Sequence, residues 1–95
     1  CQNVLLSMID ASSGIIGMLV SNGLMGKELS ISQKIELTET ANNLYKLILS
    51  EDEDSLFYNC RLCRNYSLLA ELWCKEGNIK KAMENLLLAE KPATK

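Results

Sequence analysis

Residues 65–89 read NYSLLAELWCKEGNIKKAMENLLLA, and this stretch decides the fold. Tyr66, Leu69, Ala70 and Trp73 stand at i, i+3, i+4 and i+7, the spacing of one helix face. Gly77 breaks the pattern, and a second stripe follows with Ile79, Ala82, Met83, Leu86 and Ala89. Gly takes the left-handed conformation just past a helix end without the Cβ penalty other residues meet. Asn78 brings a side-chain oxygen to cap the first amides of the next helix. The stretch therefore predicts two helices turned against each other, with Ala70, Ala82 and Ala89 allowing a close crossing.

The same order of residues resembles a tetratricopeptide repeat, a helix–turn–helix unit of roughly 34 residues. Tyr66, Leu69, Ala70 and Trp73 match its first helix, Gly77 its turn, and Ala82, Leu86 and Ala89 its second. The resemblance implies a hairpin over residues 63–95, with Trp73 largely buried near Ala82 and Leu86. The repeat's usual proline falls later than Pro92, so the exit is shifted. A generic antiparallel helix pair with small residues at its crossing satisfies the same spacing.

Outward from this stretch, 95 residues with one proline and an ordinary apolar fraction suit a single all-α domain spanning 1–95. About four helices in antiparallel hairpins are expected. The chain opens on Cys1 and trails off after Pro92, which reads as a fragment; a lipid-bearing N-terminal Cys is the alternative. The net charge of −2 gives no basis for direct nucleic-acid contact. Residues 1–54 hold three Lys and eight acids, and residues 55–95 hold seven Lys or Arg and four acids. That asymmetry reads first as solvated surface, and otherwise as two faces of opposite sign that meet.

Four cysteines raise the question of a metal or redox site. Cys60 and Cys63 form C-x-x-C inside a predicted helix, without the preceding strand that redox motifs of this spacing have. Cys63 and Cys74 are eleven residues apart on that helix, about 16 Å by helical rise, against zinc–sulfur bonds of about 2.3 Å. No His is present. Free, mostly buried thiols are expected, with no metal and no cofactor, as in a reducing cytoplasm.

Helix 1 is expected over residues 2–21, with Val4, Met8, Ala11, Ile15 and Leu19 as its stripe, widened by Leu5, Ile9 and Ile16. Asp10 is its only charge, so most of its sides need cover. The run from Ala11 to Met25 carries Ser12, Ser13, Gly14, Gly17, Ser21, Asn22 and Gly23, too short and polar for a membrane span. Asn22 to Glu28 reads as a loop whose Leu24 and Met25 fold back on the core. Ser30 with Gln33 makes a capping box for helix 2, Ser32 being the competing cap. Helix 2 runs to about Leu49 on a face of Leu37, Ala41, Leu44, Tyr45 and Ile48. Helix 3 covers about 55–75 and helix 4 covers 79 to about 90. The acidic run Glu51 to Asp54 lacks the Gly and alternating oxygens of a calcium loop, and favours the dipole of helix 3.

Residues 34–91 as a whole, through Lys34-Ile35, Ala41, Leu44-Tyr45, Phe57-Tyr58, Arg61-Leu62, Tyr66, Leu69-Ala70, Gly77, Ala82, Leu86 and Ala89, resemble a more particular family. It is the C-terminal helical region of bacterial transcriptional regulators that carry an N-terminal Cro/C1-type helix-turn-helix domain. The resemblance implies a regulatory or interaction domain, with the DNA-reading part outside these residues. Repeats of this kind hold extended peptides on their first helices, which here places Arg64, Ser67, Glu71 and Lys75 as partner-contacting positions. Ser67 and Glu71 cannot act as the Lys/Asn clamp that grips a terminal carboxylate in chaperone-binding members. A homodimer is expected through Val4, Met8, Ile15 and Leu19, since a bare apolar face seeks a partner and paired operator half-sites suit a two-fold protein. The alternative function is a free-standing helical-repeat scaffold. An enzyme is not expected: no residue set offers a nucleophile with its base, and no Gly-rich loop offers a phosphate cradle.

Overall fold

A computed structural model describes residues 2–51 and 54–93, with side chains described for 4–51 and 54–90. Four helices build it: α1 Gln2–Asn22, α2 Ile31–Glu51, α3 Leu56–Lys75 and α4 Ile79–Ala93. No strand occurs among the described residues, so the fold is all-α.

Local chemistry sets most of the helix ends. Ser30 Oγ accepts from the Gln33 amide at 3.2 Å, and the Ser30 amide donates to Gln33 Oε1 at 3.0 Å, completing the capping box. Ser55, at φ −64° and ψ 110°, accepts from the Tyr58 amide and starts α3. Gly77 sits at φ +85°, its amide donating to the Cys74 carbonyl while the Asn78 amide donates to that of Trp73. This pair of bonds closes the last turn of α3 as a Schellman motif. Asn78 Oδ1 then accepts from the Lys81 amide at 3.1 Å and opens α4. α4 runs to Ala93, past the end expected near Glu90.

The turn after α1 departs from expectation. Leu24 and Lys27 exchange backbone hydrogen bonds of 2.9 and 3.0 Å around Met25 and Gly26. Both central residues have left-handed φ, +52° and +78°, so Met25 stands at the tip, 93% exposed, and Leu24 is also exposed. Neither folds back on the core. Gly23 is required here, because a Cβ on it would lie 2.1 Å from the Lys27 carbonyl oxygen. Lys34 Nζ holds Glu28 at 2.6 Å, and this hydrogen bond, then the charge of Lys34, keeps the Glu28 carboxyl below its ordinary pKa.

Each helix packs on its neighbour in sequence, and no Cα atoms of non-consecutive helices approach within 8 Å among the described residues. The chain is correspondingly flat, 41 × 36 × 14 Å. α4 returns along α3: Lys81 Nζ lies 4.6 Å from the Trp73 ring centre near the turn, and Cys63 Sγ donates to the Ala89 carbonyl at 2.8 Å farther along. The core joins Ile35, Ala41, Tyr45 and Ile48 of α2 to Leu62, Tyr66, Leu69 and Leu72 of α3, with Ala89 of α4.

The inward face of α1 is not the stripe expected from sequence. Leu6, Ile9, Ser13, Ile16 and Val20 turn inward, and Ser13 is among the most deeply buried side chains. Val4, Met8, Ala11 and Ile15 face out, and Leu19 is half-buried. Apolar residues lie all round this helix, so periodicity does not select a side; the small Ser13, whose Oγ donates to the Asp10 carbonyl at 2.8 Å, permits the close contact. Val4–Asn22, taken across Asp10, has a mean hydropathy of 1.7 over 19 residues and little of it is buried. By length and composition it suffices to cross a membrane, which the shorter run from Ala11 did not suggest, though core helices and signal sequences share that property.

Three further expectations are corrected. α4 meets α3 through Asn78, Ala82, Asn85 and Ala89, so Ile79 and Met83 are exposed and Leu86 is 51% exposed rather than packed. Trp73 is only half-buried. Cys60 and Cys74 are exposed free thiols and Cys63 is half-buried, so these thiols are free but not mostly buried; Cys1 lies outside the described residues.

One hydrogen bond ties α1 to α3 directly: the Tyr58 hydroxyl donates to Asp10 Oδ1 at 3.1 Å. Burial, then this bond and the charge of Asp10, raise the Tyr58 pKa above its ordinary value of 10.0. The fold thus favours the neutral phenol. Its contribution is complete below the unfolded pKa and is lost as pH rises through the higher folded value. Tyr58→Phe should cost about 1 kcal/mol, the worth of one such bond. Amide exchange should quicken in α1 more than in α4, and the variant should lose the alkaline destabilisation due to Tyr58.

Candidate functional site

Because α1 and α3 do not touch along their backbones, a groove opens between them with α2 as its floor. It has a volume of about 460 Å³, within the range of roughly 300–1,000 Å³ usual for ligand clefts. Its apolar lining comes from Ile16 and Val20 on α1, Ala41 on α2 and Leu68 on α3. Gly14 and Gly17 leave the α1 wall low, since a Cβ on either would meet nothing within 4 Å.

The polar groups of this groove are placed unevenly. Thr38, on the floor, is 2% exposed, and its Oγ1 has no hydrogen-bond partner among the described residues. Thr38 shares the inward phase of α2 with Ile35 and Tyr45, which is why a hydroxyl ends up buried there. A buried polar group without a partner costs about 1–3 kcal/mol, so its position at a ligand-sized opening is informative. Arg61 and Arg64 stand on the α3 wall, three residues apart and hence on one helix face. Arg61 lies with its guanidinium carbon 4.6 Å from the Phe57 ring centre, which leaves its N–H edges free to donate. Neither arginine has a carboxylate partner within 4 Å among the described residues. Among the described residues, the groove therefore offers an apolar lining, one unpaired buried hydroxyl and two arginines without a carboxylate partner.

Of the four positions expected to contact a partner, only Arg64 lines this groove. Ser67, Glu71 and Lys75 are exposed on α3 outside it, and Lys75 pairs with Glu71 at 3.6 Å, a surface contact worth little. Arg61 and Thr38 are the residues sequence reasoning did not reach. Arg61 stands three residues before Arg64 but only the groove marks it, and Thr38 shares the phase of Ile35 and Tyr45, a signal its polar chemistry outweighs. Of the expected dimer positions, Val4, Met8 and Ile15 are exposed on the outer face of α1, with Leu5 and Met18 beside them.

A second, smaller opening of about 270 Å³ lies between α2 and α4, floored by α3. Asn42, 3% exposed, lines it, and neither its amide nitrogen nor its oxygen has a partner among the described residues. The indole N–H of Trp73, on the same lining, is likewise buried and unpaired. No group of three or more metal-ligating side chains occurs among the described residues. No protein-family model, no curated protein and no solved structure matches this chain.

Proposed function

We propose that this domain is a tetratricopeptide-like interaction module that holds an acidic segment of a partner in the groove between α1 and α3. The observation that carries the reading is the pairing of Arg61 and Arg64, without carboxylate partners among the described residues, in the groove whose buried Thr38 hydroxyl has no partner among them either. An Asp or Glu side chain entering the groove supplies acceptors for both guanidinium groups, and charge-assisted bonds of this kind are the strong ones. A carboxylate oxygen or main-chain carbonyl also accepts from Thr38 Oγ1. The resemblance of residues 34–91 to the C-terminal region of Cro/C1-type regulators gives the module its place: it would sense or recruit a cytoplasmic partner for a DNA-binding domain. Self-association through the outer face of α1 belongs to the same proposal. The free-standing scaffold uses the groove identically and differs only in what the module is joined to.

Fluorescence anisotropy with a short Glu-rich peptide and its Lys-rich counterpart tests the reading. The acidic peptide should bind and the basic one should not. Arg61→Glu combined with Arg64→Glu should weaken the acidic peptide by about 10- to 100-fold, two charge-assisted contacts being lost. Equal binding of both peptides, or an unchanged affinity in the double variant, would refute it.

A further inference from the structure

We infer that the opening between α2 and α4 is a second binding site, built to take an uncharged stretch of extended peptide main chain. It lies on the other side of the α2–α3 pair from the arginine groove and shares no lining residue with it. Two of its lining residues bury three polar atoms without partners among the described residues: Asn42 Nδ2, Asn42 Oδ1 and Trp73 Nε1. A carboxamide presents a donor and an acceptor side by side, the complement of the C=O and N–H of a peptide unit. Trp73 adds one more donor for a neighbouring carbonyl. Together they ask for two acceptors and one donor in close succession, which main chain supplies and a simple anion or cation does not.

The surroundings fit that ligand. Tyr66, Leu69 and Trp73 supply its aromatic and apolar lining. The charges at the rim have both signs, Lys46 and Lys81 against Glu39 and Glu84, so no net charge is selected. Lys46 lies 5.7 Å from the Tyr66 ring centre and Lys81 4.6 Å from that of Trp73, so each lysine stem lies across an aromatic floor residue. Both lysines are exposed. Asn42 itself sits on α2 one position beyond Ala41, where an apolar side chain would pack without orphaned atoms. The ligand is what makes a carboxamide useful there.

Nuclear magnetic resonance reads this directly, since the Asn42 side-chain NH2 and the Trp73 indole N–H give separate signals. The probe is blocked triglycine, acetylated and N-methylamidated, added to the whole chain. The expected result is saturable movement of both signals together. Asn42→Leu should abolish the movement of the Trp73 signal while keeping or raising the melting temperature. Trp73→Phe, which keeps an aromatic side chain but loses the indole N–H together with the pyrrole ring, should weaken the probe, followed on the Asn42 side-chain signal, by at least about five- to tenfold, the effect of one hydrogen bond; it carries the test if Asn42→Leu disturbs folding. Arg61→Glu with Arg64→Glu should leave these shifts intact, so this site and the acidic groove stand or fall separately. Absence of saturable shifts, or undiminished probe binding in Trp73→Phe, overturns the inference.

Discussion

Leu69→Ala should remove about 2–5 kcal/mol of stability, the range for truncating a fully buried leucine. Leu69 is 1% exposed and belongs to the cluster that joins α2 to α3, with Ala89 of α4 in the same cluster. Deleting its three outer carbons leaves a void that neighbouring helices fill only in part, because each is fixed by its own caps at Ser30, Ser55 and Asn78. Domains of this size have only about 5–15 kcal/mol of net stability, so the loss is a large share. Urea unfolding followed by circular dichroism should show a lower midpoint with unchanged slope. A loss under about 1 kcal/mol would mean that Leu69 does not hold the core. Trp73→Ala, by contrast, should cost less than a core aromatic usually does, since Trp73 is half-buried.

If the protein self-associates through α1 as proposed, Met8→Glu combined with Ile15→Glu should convert the dimer to a folded monomer. Both residues are exposed, 62% and 60%, on the outward face of α1, so the substitutions disturb no internal packing. Val4, Leu5 and Met18 extend the same apolar surface, and Asp10, the only charge of α1, is engaged by Tyr58. A contiguous apolar face of this kind marks an interface, and two copies of one face meet most simply about a two-fold axis. Leu19 is a poorer probe because it is half-buried, and a charge there would confuse unfolding with dissociation. Sedimentation at micromolar concentration should show wild type at twice the mass of the 10.6 kDa chain and the variant at one. A well-folded wild-type monomer would end the proposal.

The turn between α3 and α4 was legible because its determinants are local. Gly77 fixes a backbone angle and Asn78 makes a cap, and neither depends on distant residues. The capping box at Ser30 was legible for the same reason. What faced what was harder. On α4 the crossing residues Ala82 and Ala89 are buried as expected, while Ile79, Met83 and Leu86 of the same stripe are exposed; on α1 the expected stripe misses Ser13, whose small side chain lets the helix come near. Thr38 and Asn42 were invisible as site residues because polar residues in a helix read as surface. Their common phase with Ile35 and Tyr45 was the available signal, and it was outweighed by their chemistry. Arg64 was found through resemblance, whereas Arg61 needed the groove to be seen.

The backbone packing of each helix only on those adjacent to it in sequence, with the Tyr58–Asp10 bond as a side-chain tie between α1 and α3, also governs how the chain comes together and apart. Nearly all native proximity is short in contour length, so little loop entropy stands in the way and assembly should be fast, in the microsecond-to-millisecond regime. Order can begin at any neighbouring pair and spread outward like a zip. The outermost segments then have one partner each while the middle ones have two. Exchange protection should fall from the centre toward both ends, and under tension the chain should shed α1 and α4 before the α2–α3 pair gives way.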